Sequence, residues 1–197
     1  MIKIGITGGI GSGKTYVARL LENCGVPVYD SDSRAKQLTA TDLNIRKDLV
    51  ALLGEEVYQN GVLNKELLAA YLFAGEEHAA QINGVIHPAV FHDFDSWCKQ
   101  IGPVEVVGLE SAILFESGFY ERTDCVCVVS APLELRIRRA MDRDGRDREA
   151  IEARIRAQMD DEEREARADY IIVNDGVQPL VPQLEKMLDE LKKRKNA

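Results

Sequence analysis

The sequence predicts an α/β fold in which a parallel sheet of about five strands carries helices on both faces. Three observations predict it. Short runs rich in β-branched residues recur along the chain, at IKIGIT, VPVYD, VEVVGLES (Val104 to Leu109), CVCVVS (Cys125 to Ser130) and DYIIVND (Asp169 to Asp175). Stretches of helical periodicity separate them, so neighbouring strands run in the same direction. The length, 197 residues, suits one such domain with a substantial core, with room for insertions but not for two ordinary domains.

Taken in order, IKIGIT is a strand, and Lys14 to Asn23 is an amphipathic helix carrying Val17, Leu20 and Leu21, closed by Cys24-Gly25. VPVYD is a second buried strand that ends in the polar cluster DSDSR. A long helical region follows, roughly Ser33 to Gln100, punctuated by Gly54, Asn60-Gly61, Gly75 and His87-Pro88, with EEVYQ its one candidate strand. The last helix, Val177 to Lys195, places Leu180, Leu184, Met187, Leu188 and Leu191 on one face. Its KKRK end favours a helix terminus and a solvated tail over a nucleic-acid patch.

The segment Glu134 to Arg167 differs from the rest. Ten of the chain's fifteen arginines fall there with eleven acids and no lysine. Few of these residues are expected in a core. Two readings stay open, a solvated helical hairpin laced with ion pairs and a mobile lid that brings guanidinium forks over phosphates.

A net charge of −8 argues against nucleic acid or an anionic membrane as a general partner, because both need a basic surface. No apolar run approaches the roughly 20 residues of a membrane span, and the N-terminus enters a strand without a leader-like pattern, so a cytoplasmic location is expected. Cys24, Cys98, Cys125 and Cys127 form no CxxC pair and have no histidine at zinc spacing. Cys125 and Cys127 read as small core residues of a strand in a reducing compartment.

Between the first strand and the first helix, Gly8, Gly13, Lys14 and Thr15 satisfy GxxxxGK[ST] in the context this motif requires. Glycines let backbone N–H groups approach phosphate oxygens, and the helix N-terminus adds positive potential. Lys14 is placed to reach the β and γ phosphates and Thr15 to hold Mg²⁺. The motif implies a P-loop and nucleoside triphosphate binding. A guanine-specific switch calls for an NKxD-like element, and VND at Val173 to Asp175 lacks the lysine. The third strand offers Glu110, and the second ends in DSD, where Asp30 or Asp32 can take a hydroxyl proton or help hold Mg²⁺. One of the two carboxylates equally suits an N-cap.

Over nearly the whole chain the ordered elements ITGGIGSGKT, VYDSDSRAK, IHP, AILFESG, RAMDRDG, ARIRAQM and ADYIIVNDG resemble the dephospho-CoA kinase family. The resemblance implies a P-loop NTPase three-layer fold with a helical substrate-binding insertion and a helical lid. It implies ATP-dependent phosphorylation of the ribose 3′-hydroxyl of dephospho-CoA, with Mg²⁺ accompanying ATP. On this reading residues 1–32, 102–133 and 168–197 form the nucleotide-binding core, 33–101 the CoA-binding insertion and 134–167 the lid.

Residue by residue, Asp32 falls where the family has its proposed general base, and Thr7 where a threonine sits near the acceptor and reacting phosphates. Arg139 matches the lid arginine that engages phosphate, and Arg143 follows one helical turn later on the same face. The implied catalytic residues are Asp32, Lys14 and Arg139. ATP falls to Gly9, Ile10, Gly11, Ser12, Gly13, Lys14, Thr15, Arg143 and Asn174, and the acceptor to Thr7, Asp32, His87 and Glu116. Thr15 is the Mg²⁺ ligand, with Asp32 a second candidate. His87 before a proline and Asn174 in a turn each have a structural reading as well. Arg136, Arg138, Arg146 and Arg148 are expected to be solvated, Arg139 exposed in the open state, and Gln158 to support packing or the lid. Ala112 stands where the family often has proline, while Glu116 keeps its place. Phosphorylation of another nucleotide or small metabolite, and an NTP-hydrolysing switch, are the alternatives.

Overall fold

A computed structural model of the chain describes residues 1–195. In chain order the elements are β1 (Ile2–Thr7), α1 (Lys14–Asn23), β2 (Val28–Asp30), α2 (Ser31–Thr41), α3 (Leu43–Leu53), β3 (Tyr58–Gln59), β4 (Val62–Leu63), α4 (Lys65–Leu72) and α5 (Glu76–Gln100). They continue with β5 (Val106–Glu110), β6 (Cys125–Ser130), α6 (Leu133–Asp144), α7 (Arg148–Arg156), α8 (Asp161–Ala166), β7 (Tyr170–Val173) and α9 (Leu180–Lys195). Two compact units result, one built from Met1–Asp30 and the chain from Pro103 onward, the other from Ser31–Gly102.

The first unit holds a five-stranded sheet in the order β2-β5-β1-β6-β7, with every pairing parallel. Its strands need both faces covered, and the sequence supplies the apolar side chains, since every residue of β5 is buried and all of β6 but its last. Ile4, Ile6, Val17, Leu21, Cys125, Cys127, Val129 and Ile172 pack with Leu184, Met187, Leu188 and Leu191 of α9, the face expected from its periodicity. Burial pushes the Cys125 and Cys127 thiols up to about 12, which leaves them protonated and inert at neutral pH. The α9 helix starts at Leu180 and not at Val177. The Asp175 carboxylate accepts from the Val177 and Gln178 amides at 2.8 Å each and holds that segment in a turn.

The strand order places β1 between β5 and β6, where the path of the chain across the sheet reverses. In open α/β sheets the carboxyl ends of strands at such a reversal border a ligand crevice. The P-loop leaves β1 at that end.

The second unit is helical except for one hairpin. Ile45, Leu49, Val57, Tyr58 and Ile82 form its core, and α5 packs on α2, α3 and α4. The candidate strand EEVYQ is only partly extended. Glu55–Val57 is a 3₁₀ turn, and Tyr58–Gln59 pairs antiparallel with Val62–Leu63 around Asn60 (φ 51°) and Gly61 (φ 81°). Positive φ at both central residues is what a two-residue hairpin turn demands. Helix α5 runs through Pro88, where a break was expected. The residue four positions earlier is Gly84, and burial of Ile82, Val90, Phe94 and Cys98 along the helix offsets the lost hydrogen bond.

Candidate active site

The P-loop begins at Thr7, the last and buried residue of β1, and ends in α1. Gly11 (φ 77°) and Gly13 (φ 91°) occupy the left-handed region, which turns the loop and starts the helix with its N–H groups facing the loop. A Cβ on Gly9 would come within 2.1 Å of the Arg136 guanidinium, and one on Gly11 within 2.1 Å of the Arg136 carbonyl oxygen. These glycines therefore serve packing against α6 as well as phosphate approach.

A cleft of about 220 Å³ is lined by Gly9, Gly11, Gly13, Lys14, Thr15, Arg139 and Arg143. The α6 helix brings its two arginines there because they lie four residues apart on one face. A larger cleft, about 400 Å³, lies along Glu134, Leu135, Ile137, Arg138, Met141, Asp142 and Arg148. Its Arg148 binds Glu134 and Glu152, and its lining includes no glycine-rich loop of the P-loop kind.

At the floor of the site the Thr15 hydroxyl donates to Glu110 Oε1 at 2.8 Å, and Lys14 Nζ lies 3.9 Å from the same oxygen. Glu110 ends β5, is 5% exposed, and stands in register with Asp30, the last residue of β2. A hydroxyl and a buried carboxylate together form a hard oxygen donor pair. Mg²⁺ uses one or two such protein groups with phosphate oxygens and waters, so this pair fits that ion. The sequence places Glu110 on the third strand without assigning it a role. Its contact with Thr15 joins residues 95 apart, and no local signal announces it.

Arg139 is half-buried where exposure was expected. Its Nη1 donates to the Asn174 carbonyl oxygen at 3.0 Å, and Nη2 stands 3.5 Å from Asn174 Oδ1. The Asn174 side chain in turn donates to the Ser12 carbonyl oxygen at 2.7 Å, and its own amide donates to Ser130 at 2.8 Å. Asn174 thus ties the last strand, the P-loop and the cleft arginine together. Arg143 forks onto Asp144, with Nε to Oδ1 at 2.7 Å. Arg143, helped by Arg154, holds the Asp144 carboxyl well below the usual range.

The expectation that Arg136 is solvated is overturned. It is 3% exposed, its Nε donates to the Ile10 carbonyl oxygen at 2.9 Å, and its Nη1 pairs with Asp161. Arg164, 2% exposed, donates to the other oxygen of Asp161 and to the Met159 carbonyl. Burying these two guanidiniums works because each has acceptors. Arg138, Arg146 and Arg148 are exposed as expected.

Not every candidate residue lines the cleft. The Ile10 side chain packs with Ile137, Ala140 and Ile151, and its N–H donates to Gln158 Oε1 at 2.8 Å. Ser12 is buried, and its hydroxyl has no hydrogen-bond partner among the described residues. Glu116 is exposed and accepts from the Met159 amide at 3.2 Å. Asp32 lies in the first turn of α2, two residues beyond the end of β2. His87 lies within α5, where burial depresses its pKa.

The family model described as dephospho-CoA kinase matches residues 2–179. The dephospho-CoA kinase of Bacteroides fragilis (strain YCH46) is 54% identical over 187 residues, 95% of this chain and 91% of that one. The relative of the same name in Porphyromonas gingivalis (strain W83) is 42% identical over 196 residues, 99% of this chain and 96% of that one. The crystal structure of TT1252 from Thermus thermophilus superposes with a TM-score of 0.83 at 36% identity, covering 98% of this chain and 97% of that one.

Proposed function

This chain belongs to the dephospho-CoA kinase family, and we propose that its P-loop cleft carries the ATP-dependent phosphorylation of dephospho-CoA in coenzyme A biosynthesis in the following way. The observation that carries the reading is the convergence of Lys14, Thr15, Arg139 and Arg143 on one cleft. ATP lies along the N–H groups of the loop at the start of α1. The ribose 3′-hydroxyl oxygen forms a bond to the γ-phosphorus as the bond from that phosphorus to the β,γ-bridging oxygen breaks. ADP keeps the bonding pair, and the hydroxyl proton passes to the Asp32 carboxylate.

Lys14, Arg139 and Arg143 neutralise charge on the transferring group, and because they are held before ATP arrives they need little reorganisation. Asn174 contributes by fixing Ser12 and Arg139. Thr15 and Glu110 would hold Mg²⁺, with Asp32 a further candidate, and the ion would supply positive charge to offset that of the triphosphate. Asp32 is assigned as base because it is the carboxylate that follows β2 in the first turn of α2 and matches the base position in the family's motif.

The Ser31–Gly102 unit accepts the CoA portion of the acceptor, with His87, Thr7 and Glu116 contributing to that substrate. The segment 134–167 serves as the lid over the nucleotide and keeps water from the phosphoryl group. Among the described residues no helix is long and apolar enough to cross a membrane, and we place the enzyme in the cytoplasm.

The test is ADP release measured with and without dephospho-CoA, alongside the mass of the acceptor. Release that rises with dephospho-CoA, with one phosphoryl group added to it, is the expected result. ATP hydrolysis indifferent to that acceptor would overturn the assignment.

A further inference from the structure

Ile10 lies in the middle of the P-loop, yet both of its main-chain polar groups, one in each of the two peptides that flank it, are held by the arginine-rich segment. Its N–H donates to Gln158 Oε1 at 2.8 Å, and its carbonyl accepts from Arg136 Nε at 2.9 Å. Its side chain is seated against Ile137, Ala140 and Ile151 of α6 and α7. Arg136 is fixed by Asp161, which Arg164 holds from its other oxygen. The turn bearing Gln158 is fixed as well, since Arg164 binds the Met159 carbonyl and Glu116 accepts from the Met159 amide.

We propose that Gln158 is a positioning residue for ATP: it fixes the Gly9–Ile10 peptide while Arg136 fixes the Ile10–Gly11 peptide, and together they preset the P-loop for the triphosphate. A glycine-rich loop is free to rotate its peptides, and a loop that must order itself on binding loses affinity in doing so. Locking the two peptides on either side of Ile10 limits the rotations open to the N–H groups that follow. Gln158 suits the task because its amide oxygen accepts an N–H bond without bringing negative charge next to a polyphosphate. The Ile10 amide, committed to Gln158, is then no phosphate donor. The inference deepens the kinase reading, since it requires ATP in this cleft.

Gln158→Met keeps the length of the side chain and removes the acceptor. The expected result is about tenfold weaker binding of a non-hydrolysable ATP analogue by calorimetry, the size of one lost hydrogen bond, with KM for dephospho-CoA unchanged. Hydrogen exchange at the Ile10 amide in the nucleotide-free protein accelerates in parallel. Gln158→Glu retains an oxygen acceptor and keeps that amide protected, which separates loss of the bond from loss of the fold. Unchanged analogue affinity in Gln158→Met would overturn the proposal. So would equal weakening of both substrates, or an Ile10 amide that exchanges no faster. Analogue binding is read without any acceptor, so it can fail while phosphorylation of dephospho-CoA stands, and the reverse also holds.

Discussion

The P-loop and the arginine-rich segment are the two regions that make the cleft, and they are built on opposite terms. In the P-loop each residue type has a role set by backbone geometry, so a short pattern is sufficient to place it. In Glu134 to Arg167 ten residues share one side chain, and seven of them show three different situations. Arg136 and Arg164 are buried and tied to Asp161. Arg139 and Arg143 line the cleft. Arg148, Arg154 and Arg156 form ion pairs nearer solvent. The two readings left open by composition, ion-paired hairpin and phosphate-binding lid, are therefore not exclusive, because different arginines of one helix do different work.

Substitutions can break or sharpen this division. The largest effect is expected at the P-loop. Lys14→Met removes the charge proposed to meet the β and γ phosphates and should lower kcat by about 10²- to 10³-fold with no loss of thermal stability, read by ADP release and a melting curve. A melting point that fell with the rate would make Lys14 a structural residue. Next comes Arg164→Met, which takes the donor from the Met159 carbonyl and one of the two buried guanidiniums from Asp161, leaving that carboxylate Arg136 alone. It should cost about 3 kcal/mol, or roughly 6 to 12 °C in Tm, with most activity retained at low temperature. The smallest effect belongs to the solvated set. Arg148→Ala should change stability by less than about 1 kcal/mol and leave turnover alone, although Arg148 has two carboxylate partners, because exposed pairs are screened by water and salt. A large loss there would erase the distinction between buried and exposed arginines.

Acid stability tests the ion pairs by a separate route. The Asp144 pKa is depressed in the fold by Arg143 and Arg154, so its contribution is present above the unfolded carboxylate value of about 3.9 and is lost as pH falls through the lower folded value. Asp144→Asn should then melt slightly below the parent at pH 7. The gap should close in strong acid.

The sheet was legible because each strand is a local run of β-branched residues, and the α9 face because its period is local as well. The hairpin at Tyr58 to Leu63 was not, since strands of two residues are too short to show alternation and only Asn60-Gly61 marks them. At the site, the P-loop could be read from its spacing, whereas Arg139 was singled out only by the family resemblance and Arg143 by its place one helical turn further on. The buried role of Arg136 could not be read, because its partner Ile10 is 126 residues away. The same holds for Gln158 to Ile10 and Asn174 to Ser12, which span 148 and 162 residues. A charged side chain in a charged segment looks solvated until its acceptor is known.

The central claim is that Arg139 acts on the phosphate while the fold stands without it, and one comparison tests it most directly. Turnover of ATP with dephospho-CoA by Arg139→Ala should fall by about 10²- to 10³-fold while Tm stays within about 2 °C of the parent. An unaltered rate with a lowered melting point would contradict the account and make Arg139 a brace for Asn174.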